Sequence, residues 1–311
     1  MKALITGVNG FIASHLADFL LSKNIDVYGT LQKISDNKNI RHILTDITTL
    51  KCDATNRTKI KDISRKIKPD YVFHLAAQSF VIASWKNPAE TYKTNILGTH
   101  YLLEAFKDSS AVICVASSSA IYGLSYPHEI PIKETKEFRP SSPYAVSKAA
   151  VDMLAYLYWN SNKTKTIRLR FFNTIGPRKT GSAISEWSQG IAEIEKNKRK
   201  ILTVGNLKSV IDVTDIRDSV EAIWALIKKG EHGSAYNICT SKGNKMNDIL
   251  DKLILLSDKE IKIVEDPSKL RPLDDPIFIG DNTKLRNLGW KPKITLAKTL
   301  NDTLDYWRNI T

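Results

Sequence analysis

Residues 2–13, KALITGVNGFIA, run from a short apolar stretch through a glycine turn into the first amphipathic segment. The pattern Gly7-x-x-Gly10-x-x-Ala13 at a strand–helix junction leaves few folds open. Gly7 permits the tight turn, Gly10 lets backbone approach a pyrophosphate, and the small Ala13 lets a helix lie close to a sheet. The helix N-terminus then offers free N–H groups to the phosphates. Leu16, Phe19, Leu20 and Leu21 share one face of that helix.

The same strand–helix alternation recurs about every 30 residues. IDVYGTL, ITTLKCD, DYVFHLAAQ, AVICVASSS and TIRLRFFN read as further strands, and PAETYKTNILGTHYLLEAFKD and the segment opened by Pro143 as helices. This predicts an α/β fold: a doubly wound parallel sheet of Rossmann type with a smaller mixed α/β C-terminal substrate lobe. Residues 1–172 form the predicted dinucleotide-binding domain, with 213–240 returning to it. Residues 173–212 and 241–311 form the predicted second lobe. Within the Pro143 helix, Val146, Ala149, Ala150, Met153, Leu154 and Leu157 make an apolar stripe.

Composition narrows the partners. The chain has 311 residues and a net charge of +13. Its lysines are dispersed, and no basic run is interleaved with aromatics. The charge therefore suits phosphorylated small molecules rather than nucleic acid. Apolar runs are far too short to span a bilayer. The opening lacks the basic and apolar regions of a leader, so a cytoplasmic enzyme without membrane association is expected. Cys52, Cys114 and Cys239 form no metal-like cluster and are expected to be buried thiols.

The end of the second strand selects the dinucleotide. Thr30-Leu31-Gln32-Lys33 has no acid for the adenosine ribose and a lysine nearby, which favours NADP(H), with NAD(H) as the alternative. Further along, Tyr144 and Lys148 stand four apart at the start of a helix. Ser118 ends the fifth strand, so all three reach the rim that carries the glycine turn. A hydroxyl, a phenol and an ammonium beside a nicotinamide make a proton-transfer set. The cation and an oxidised nicotinamide are both expected to draw the phenol pKa down from about 10.

These features resemble the extended short-chain dehydrogenase/reductase superfamily, on its nucleotide-sugar branch. The likeness runs through TGVNGFIASHLADFLL, KPDYVFHLAAQS, TNILGTHYLLEAF, SSSAIYG, SPYAVSKAA, RFFNTIGPR, DVTDIRD, AYNICT and LGWKPK. AAQS, VGNL, LRP and GWKP look most like the GDP-4-keto-6-deoxy-D-mannose reductases and their GDP-mannose dehydratase relatives. The resemblance implies that Ser118 holds the substrate oxygen, Tyr144 exchanges the proton and Lys148 binds the nicotinamide ribose. It implies a cofactor set of Gly7, Asn9, Gly10, Phe11, Ile12, Thr30, Lys33, Asp53, Ala54, Leu75, Ala76, Ala77 and Phe171 beside Tyr144 and Lys148. Its substrate set comprises Ser79, Ser119, Asn173, Arg178, Val204, Asn206 and Arg271. No metal site is expected. The helices at 89–107 and 143–159 are expected to pair across a two-fold axis into a homodimer.

Three reactions share such a scaffold. Dehydration needs an extra acid and base, and the dehydratases place a glutamate two residues before the tyrosine of the YG pair. That position here is Ala120, which cannot move a proton. Reduction of a 4-keto sugar and 4-epimerisation need only redox exchange at C4 with Tyr144 as acid or base. The missing acid after strand two favours the reductase, giving GDP-D-rhamnose. An NAD-dependent epimerase is the alternative, and a non-catalytic NADP-binding subunit is disfavoured because Tyr144 and Lys148 are both retained. One departure stands out: relatives carry arginine against the diphosphate where this chain has Ile211. Either Arg178 substitutes, since a guanidinium pairs well with phosphate, or the ligand sits differently.

Overall fold

The computed structural model describes residues 1–269 and 276–311. Its strands are β1 Lys2–Thr6, β2 Asp26–Leu31, β3 Thr48–Lys51, β4 Tyr71–His74, β5 Val112–Ser118, β6 Thr166–Phe171, β7 Asn173–Ile175, β8 Leu202–Val204, β9 Val210–Asp215, β10 Ala235–Ile238, β11 Gly243–Lys245, β12 Ile263–Glu265 and β13 Ile277–Phe278. The helices are α1 Phe11–Leu21, α2 Arg57–Ile67, α3 Val81–Lys86, α4 Pro88–Tyr92, α5 Gly98–Phe106, α6 Pro143–Asn162, α7 Ala183–Glu195, α8 Ile216–Lys229, α9 Met246–Ile254, α10 Thr283–Arg286 and α11 Leu296–Ile310.

Seven parallel strands form the main sheet in the order β10-β6-β5-β4-β1-β2-β3. Both faces are covered, which is why β1 and β5 read as continuous apolar runs. On one face α1 and α8 bury Leu16, Leu20, Ile216 and Ile223. On the other, α2, α5 and α6 bury Ile60, Ile63, Leu102, Phe106 and Val151. The strand order reverses between β1 and β4, so a crevice opens at their carboxyl ends, where ligands of such sheets bind.

The second lobe builds two small sheets. In one, β9 pairs with β7, β11 and β13; in the other, β8 pairs with β12. Helices α7, α9 and α11 close over them around Trp187, Leu250, Leu304 and Trp307. The chain re-enters the first layer with α8 and β10, while β9 itself belongs to the lobe. Among the described residues no helix is long and apolar enough to cross a membrane. All three cysteines are buried and free.

The start of α6 has a local cause. Ser142 accepts a hydrogen bond from the Ala145 N–H at 3.1 Å, and Pro143 supplies a preset φ at the first helical position. Only part of the apolar stripe on this helix enters the core. Val146, Met153 and Leu157 are exposed, whereas Ala145, Lys148, Asp152 and Ala155 are buried.

Candidate active site

The glycine turn lies over the crevice. Gly7 has φ of 68°, a conformation that suits glycine, and a Cβ there would meet the Ala76 Cα at 3.0 Å. The Gly10 N–H donates to the Gly7 carbonyl at 2.8 Å. Thr30 is buried beside the turn, its hydroxyl 3.4 Å from the Gly7 N–H and its carbonyl accepting from the Val8 N–H. Asn9 reaches outward, donating to both the carbonyl and the carboxylate of Asp36 at 2.9 Å. Phe11 and Ile12 follow at the start of α1.

The facing loop, 75–77, is held by a chain of hydroxyls and one imidazole. The Leu75 and Ala76 N–H groups both donate to the Thr6 hydroxyl at 3.1 Å. Thr6 therefore has its proton free for His74 Nδ1, at 2.9 Å. His74 Nε2–H donates to the Thr99 hydroxyl at 3.0 Å, and Thr99 in turn donates to the Asn95 carbonyl. Burial, with the Lys148 charge adding to it, pulls the His74 pKa down to about 3, so the ring is neutral.

Asn95 sits in a π-helical turn, 93–97, between α4 and α5. Its amide exchanges hydrogen bonds with the Gln78 backbone and donates to Ser147 at 2.9 Å. Ser147 donates to the Tyr144 carbonyl at 2.7 Å. The His74 relay and the Asn95 clamp are both absent from the residues expected from sequence. Each joins side chains tens of residues apart, and only the irregular helix around Asn95 offered a local sign.

Ser118, Tyr144 and Lys148 meet at the rim. Ser118 lies close enough to Tyr144 for its hydroxyl to bear on the phenol, and Lys148 Nζ donates to the Ala116 carbonyl at 2.7 Å. Burial lowers the Lys148 pKa to about 8. Burial also raises the Tyr144 pKa, with the Ser118 hydrogen bond opposing it. Against the lowering expected from Lys148 and an oxidised nicotinamide, burial pushes the phenol up, and the Lys148 ammonium is turned to a strand carbonyl.

On the adenosine side, Asp53 accepts from the Thr55 N–H and hydroxyl at 2.8 and 2.7 Å and from Gln32 at 2.7 Å. The Thr55 contacts come first in holding its carboxyl below the usual range. Gln32 occupies the end of β2 without adding charge, and Lys33 is exposed beyond it. Ala54 packs on Gly98, where an added Cβ would lie 3.2 Å from it. Phe171 is buried at the end of β6.

The expected substrate residues are held more loosely. Ser79 and Asn173 are exposed, Asn173 donates to the Asp212 carbonyl at 3.2 Å, and Ser119 is buried. Val204 is fully buried in the lobe core and its carbonyl accepts from Asp266, so its side chain supports the lobe. Asn206 braces its own loop through Lys208 and Ser209. Arg178 is engaged elsewhere: Nη1 donates to Asp18 at 2.8 Å, with His42 at 3.3 Å, so it ties the lobe to α1. Arg271 lies outside the described residues. Among those described, no group of acids, histidines and cysteines is suited to a metal ion.

A parallel sheet with a glycine turn at its switch point and a Ser/Tyr/Lys set on the same rim defines an extended short-chain dehydrogenase/reductase. The family model described as GDP-mannose 4,6 dehydratase matches residues 4–303. The chain belongs to that family, on the nucleotide-sugar branch, and is an oxidoreductase of the extended type. It is 29% identical over 313 residues to the GDP-6-deoxy-D-mannose reductase of Pseudomonas aeruginosa, covering 99% of this chain and 97% of that one. The solved structure of RMD from the same organism, complexed with NADPH, superposes with a TM-score of 0.87 at 28% identity, covering 100% of this chain and 99% of that one. The UDP-glucose 4-epimerase of Thermus thermophilus, complexed with NAD, gives 0.89 at 26% identity with both chains fully covered.

Proposed function

We propose that this protein reduces the C4 keto group of a nucleotide-linked 4-keto-6-deoxy sugar with NADPH. The preferred substrate is GDP-4-keto-6-deoxy-D-mannose and the product GDP-D-rhamnose. One observation carries the choice: Ser118, Tyr144 and Lys148 are assembled, while Ala120 stands where dehydration requires a carboxylic acid. What remains is redox exchange at one carbon with a single proton donor. The Pseudomonas reductase and its NADPH complex point the same way.

The residues fit a dinucleotide. The Gly7–Ala76 approach leaves no room for a Cβ, and Gly10, Phe11 and Ile12 lead into the N-terminus of α1. Asp53 is the adenine-side acceptor, and Gln32 and Lys33 leave the 2′ position free of an acid. When bound, the reduced nicotinamide supplies the hydride for C4. Ser118 hydrogen-bonds the sugar carbonyl oxygen, and Tyr144 transfers its phenolic proton to that oxygen as it becomes an alkoxide. A raised phenol pKa suits this direction, because the neutral form is the donor. Lys148 leaves Ala116 to hold the ribose and stabilise the phenolate until solvent returns the proton.

Mixing the protein with NADPH and enzymatically prepared GDP-4-keto-6-deoxy-D-mannose tests this. Substrate-dependent loss of reduced-nicotinamide absorbance is expected, falling roughly 10²- to 10⁴-fold in Tyr144→Phe. Intact NADPH binding without turnover would overturn the substrate assignment. An epimerase is the second reading, favoured by the likeness to the Thermus enzyme. It requires purified protein to carry tightly bound NAD(H) and to interconvert C4 epimers.

The exposed Val146, Met153 and Leu157 on α6, with Leu97 nearby in sequence to α5, support a homodimer built on these helices. Met153→Lys combined with Leu157→Lys is expected to give a monomer in sedimentation. An unchanged mass would remove this face as the interface.

A further inference from the structure

The loop after β7 bends sharply. Gly176, Arg178 and Gly181 have φ of 154°, 69° and 67°, and a non-glycine residue such as Arg178 seldom adopts that conformation. The adjacent cations of this loop serve different ends. Arg178 is paired with Asp18 on α1. Lys179 places Nζ 5.1 Å from the centroid of the Phe11 ring. Among the described residues no carboxylate lies within ion-pair distance of that ammonium and no acceptor receives a hydrogen bond from it. Burial pulls its pKa down.

A half-buried ammonium against a phenyl face, with no carboxylate beside it, is only partly compensated. Phe11 is the first residue of α1, immediately after Gly10, and the segment from Gly7 to Ala13 contains no charged residue. The turn read above as a pyrophosphate cradle thus has backbone N–H groups and a helix dipole but no formal cation of its own. We infer that Lys179 is a diphosphate-binding residue, supplying the positive charge that faces the dinucleotide pyrophosphate from the second lobe. The inference rests on the dinucleotide reading of residues 7–13. It also makes the lobe a participant in cofactor binding, since the cation arrives from beyond β7.

The diphosphate of a sugar nucleotide offers the same chemistry, so the test has two arms. Full-length protein, Lys179→Met and Lys179→Arg are titrated with NADPH by fluorescence and with GDP by calorimetry, at low and high salt. Methionine retains an apolar stem over Phe11 and removes only the charge. Lys179→Met is expected to weaken NADPH about tenfold, with arginine restoring most of the loss and GDP unchanged. The salt dependence of NADPH binding is expected to be shallower in Lys179→Met than in the unsubstituted protein. A loss confined to GDP would overturn the cofactor assignment and give the cation to the sugar nucleotide. Unchanged affinity for both ligands in a variant of unchanged melting temperature would overturn the role altogether. If the unsubstituted protein binds neither NADPH nor NADH, the reading of residues 7–13 fails first and this inference with it. Should Lys179→Met fold poorly, Lys179→Gln, which also removes the charge, is titrated in its place with the same outcomes.

Discussion

The two walls of the cleft are held in different ways. On the sheet side Lys148 is fixed by the Ala116 carbonyl and the 75–76 backbone by the buried Thr6 hydroxyl. On the lobe side Asn173 is exposed, Asn206 braces its own loop, and Ile211 stands where the family resemblance implies an arginine. A group held by a buried partner is harder to exchange singly than an exposed contact. On the proposed function, the sheet wall would carry the reaction and the lobe wall the choice of sugar nucleotide.

The sheet side rests on a buried polar cluster of its own, and cutting it is expected to have the largest effect. Asp152, one helical turn beyond Lys148 on α6, accepts from Arg168 at 2.7 Å and twice from Arg170 at 2.9 Å. Burial alone would raise its pKa, but the two guanidiniums prevail and keep it ionised. Arg170 continues to the Tyr122 hydroxyl at 2.9 Å and the Glu134 carbonyl at 2.8 Å, and Tyr122 donates to Asn237 at 2.7 Å. Asp152→Ala strands two cations, one of them deeply buried, and is expected to cost about 3–5 kcal/mol. Urea denaturation measures it. A loss below about 1 kcal/mol would mean that this carboxylate does not hold the two guanidiniums in place.

Next in size is a trade between stability and chemistry at Lys148. Its displacement from 10.5 to about 8 corresponds to about 3 kcal/mol of destabilisation while it is charged in both folded and unfolded states. That cost is fully present below pH 8, shrinks as the folded form deprotonates, and is gone above pH 10.5. Losing the Ala116 contact offsets about 1 kcal/mol. Lys148→Met is therefore expected to be about 2 kcal/mol more stable at pH 7, with the advantage fading toward pH 10, and to lose turnover. A variant less stable at pH 7 would show that the ammonium is stabilising where it lies.

These two residues also mark how far sequence alone reaches. Tyr144 and Lys148 were legible because their spacing is local and the helix start announces itself through Ser142 and Pro143. Asp152 lies one turn on and drew no notice, because its partners arrive from β6, a separate strand. The stripe of Val146, Met153 and Leu157 has core-like spacing yet faces outward, while the inward face carries Lys148 and Asp152. Periodicity identifies an amphipathic helix but does not tell which face meets the sheet once polar residues are needed inside. Thr6, His74 and Thr99 escaped for the same reason as Asp152: each is an ordinary residue until the β1–β4 crevice brings them together. Arg178 was assigned to the ligand by its type, and Asp18 on α1 claims it instead.

The smallest expected effect probes the replaceable wall directly. Ile211 is half-buried on β9, paired in register with Asn244 and Phe278 and packed at the margin of the lobe core. Ile211→Arg gives up some of that packing and places a guanidinium where the family resemblance implies one against the diphosphate. A partly solvated charge-assisted contact contributes about 1 kcal/mol net, so GDP is expected to bind about fivefold tighter by calorimetry. NADPH affinity and kcat are expected to hold, because Ser118, Tyr144 and Lys148 keep their partners on the sheet. If GDP binding does not tighten in a folded variant, the sugar nucleotide lies off β9 and the lobe recognises it by another surface. If kcat moves as well, the two walls are not independent.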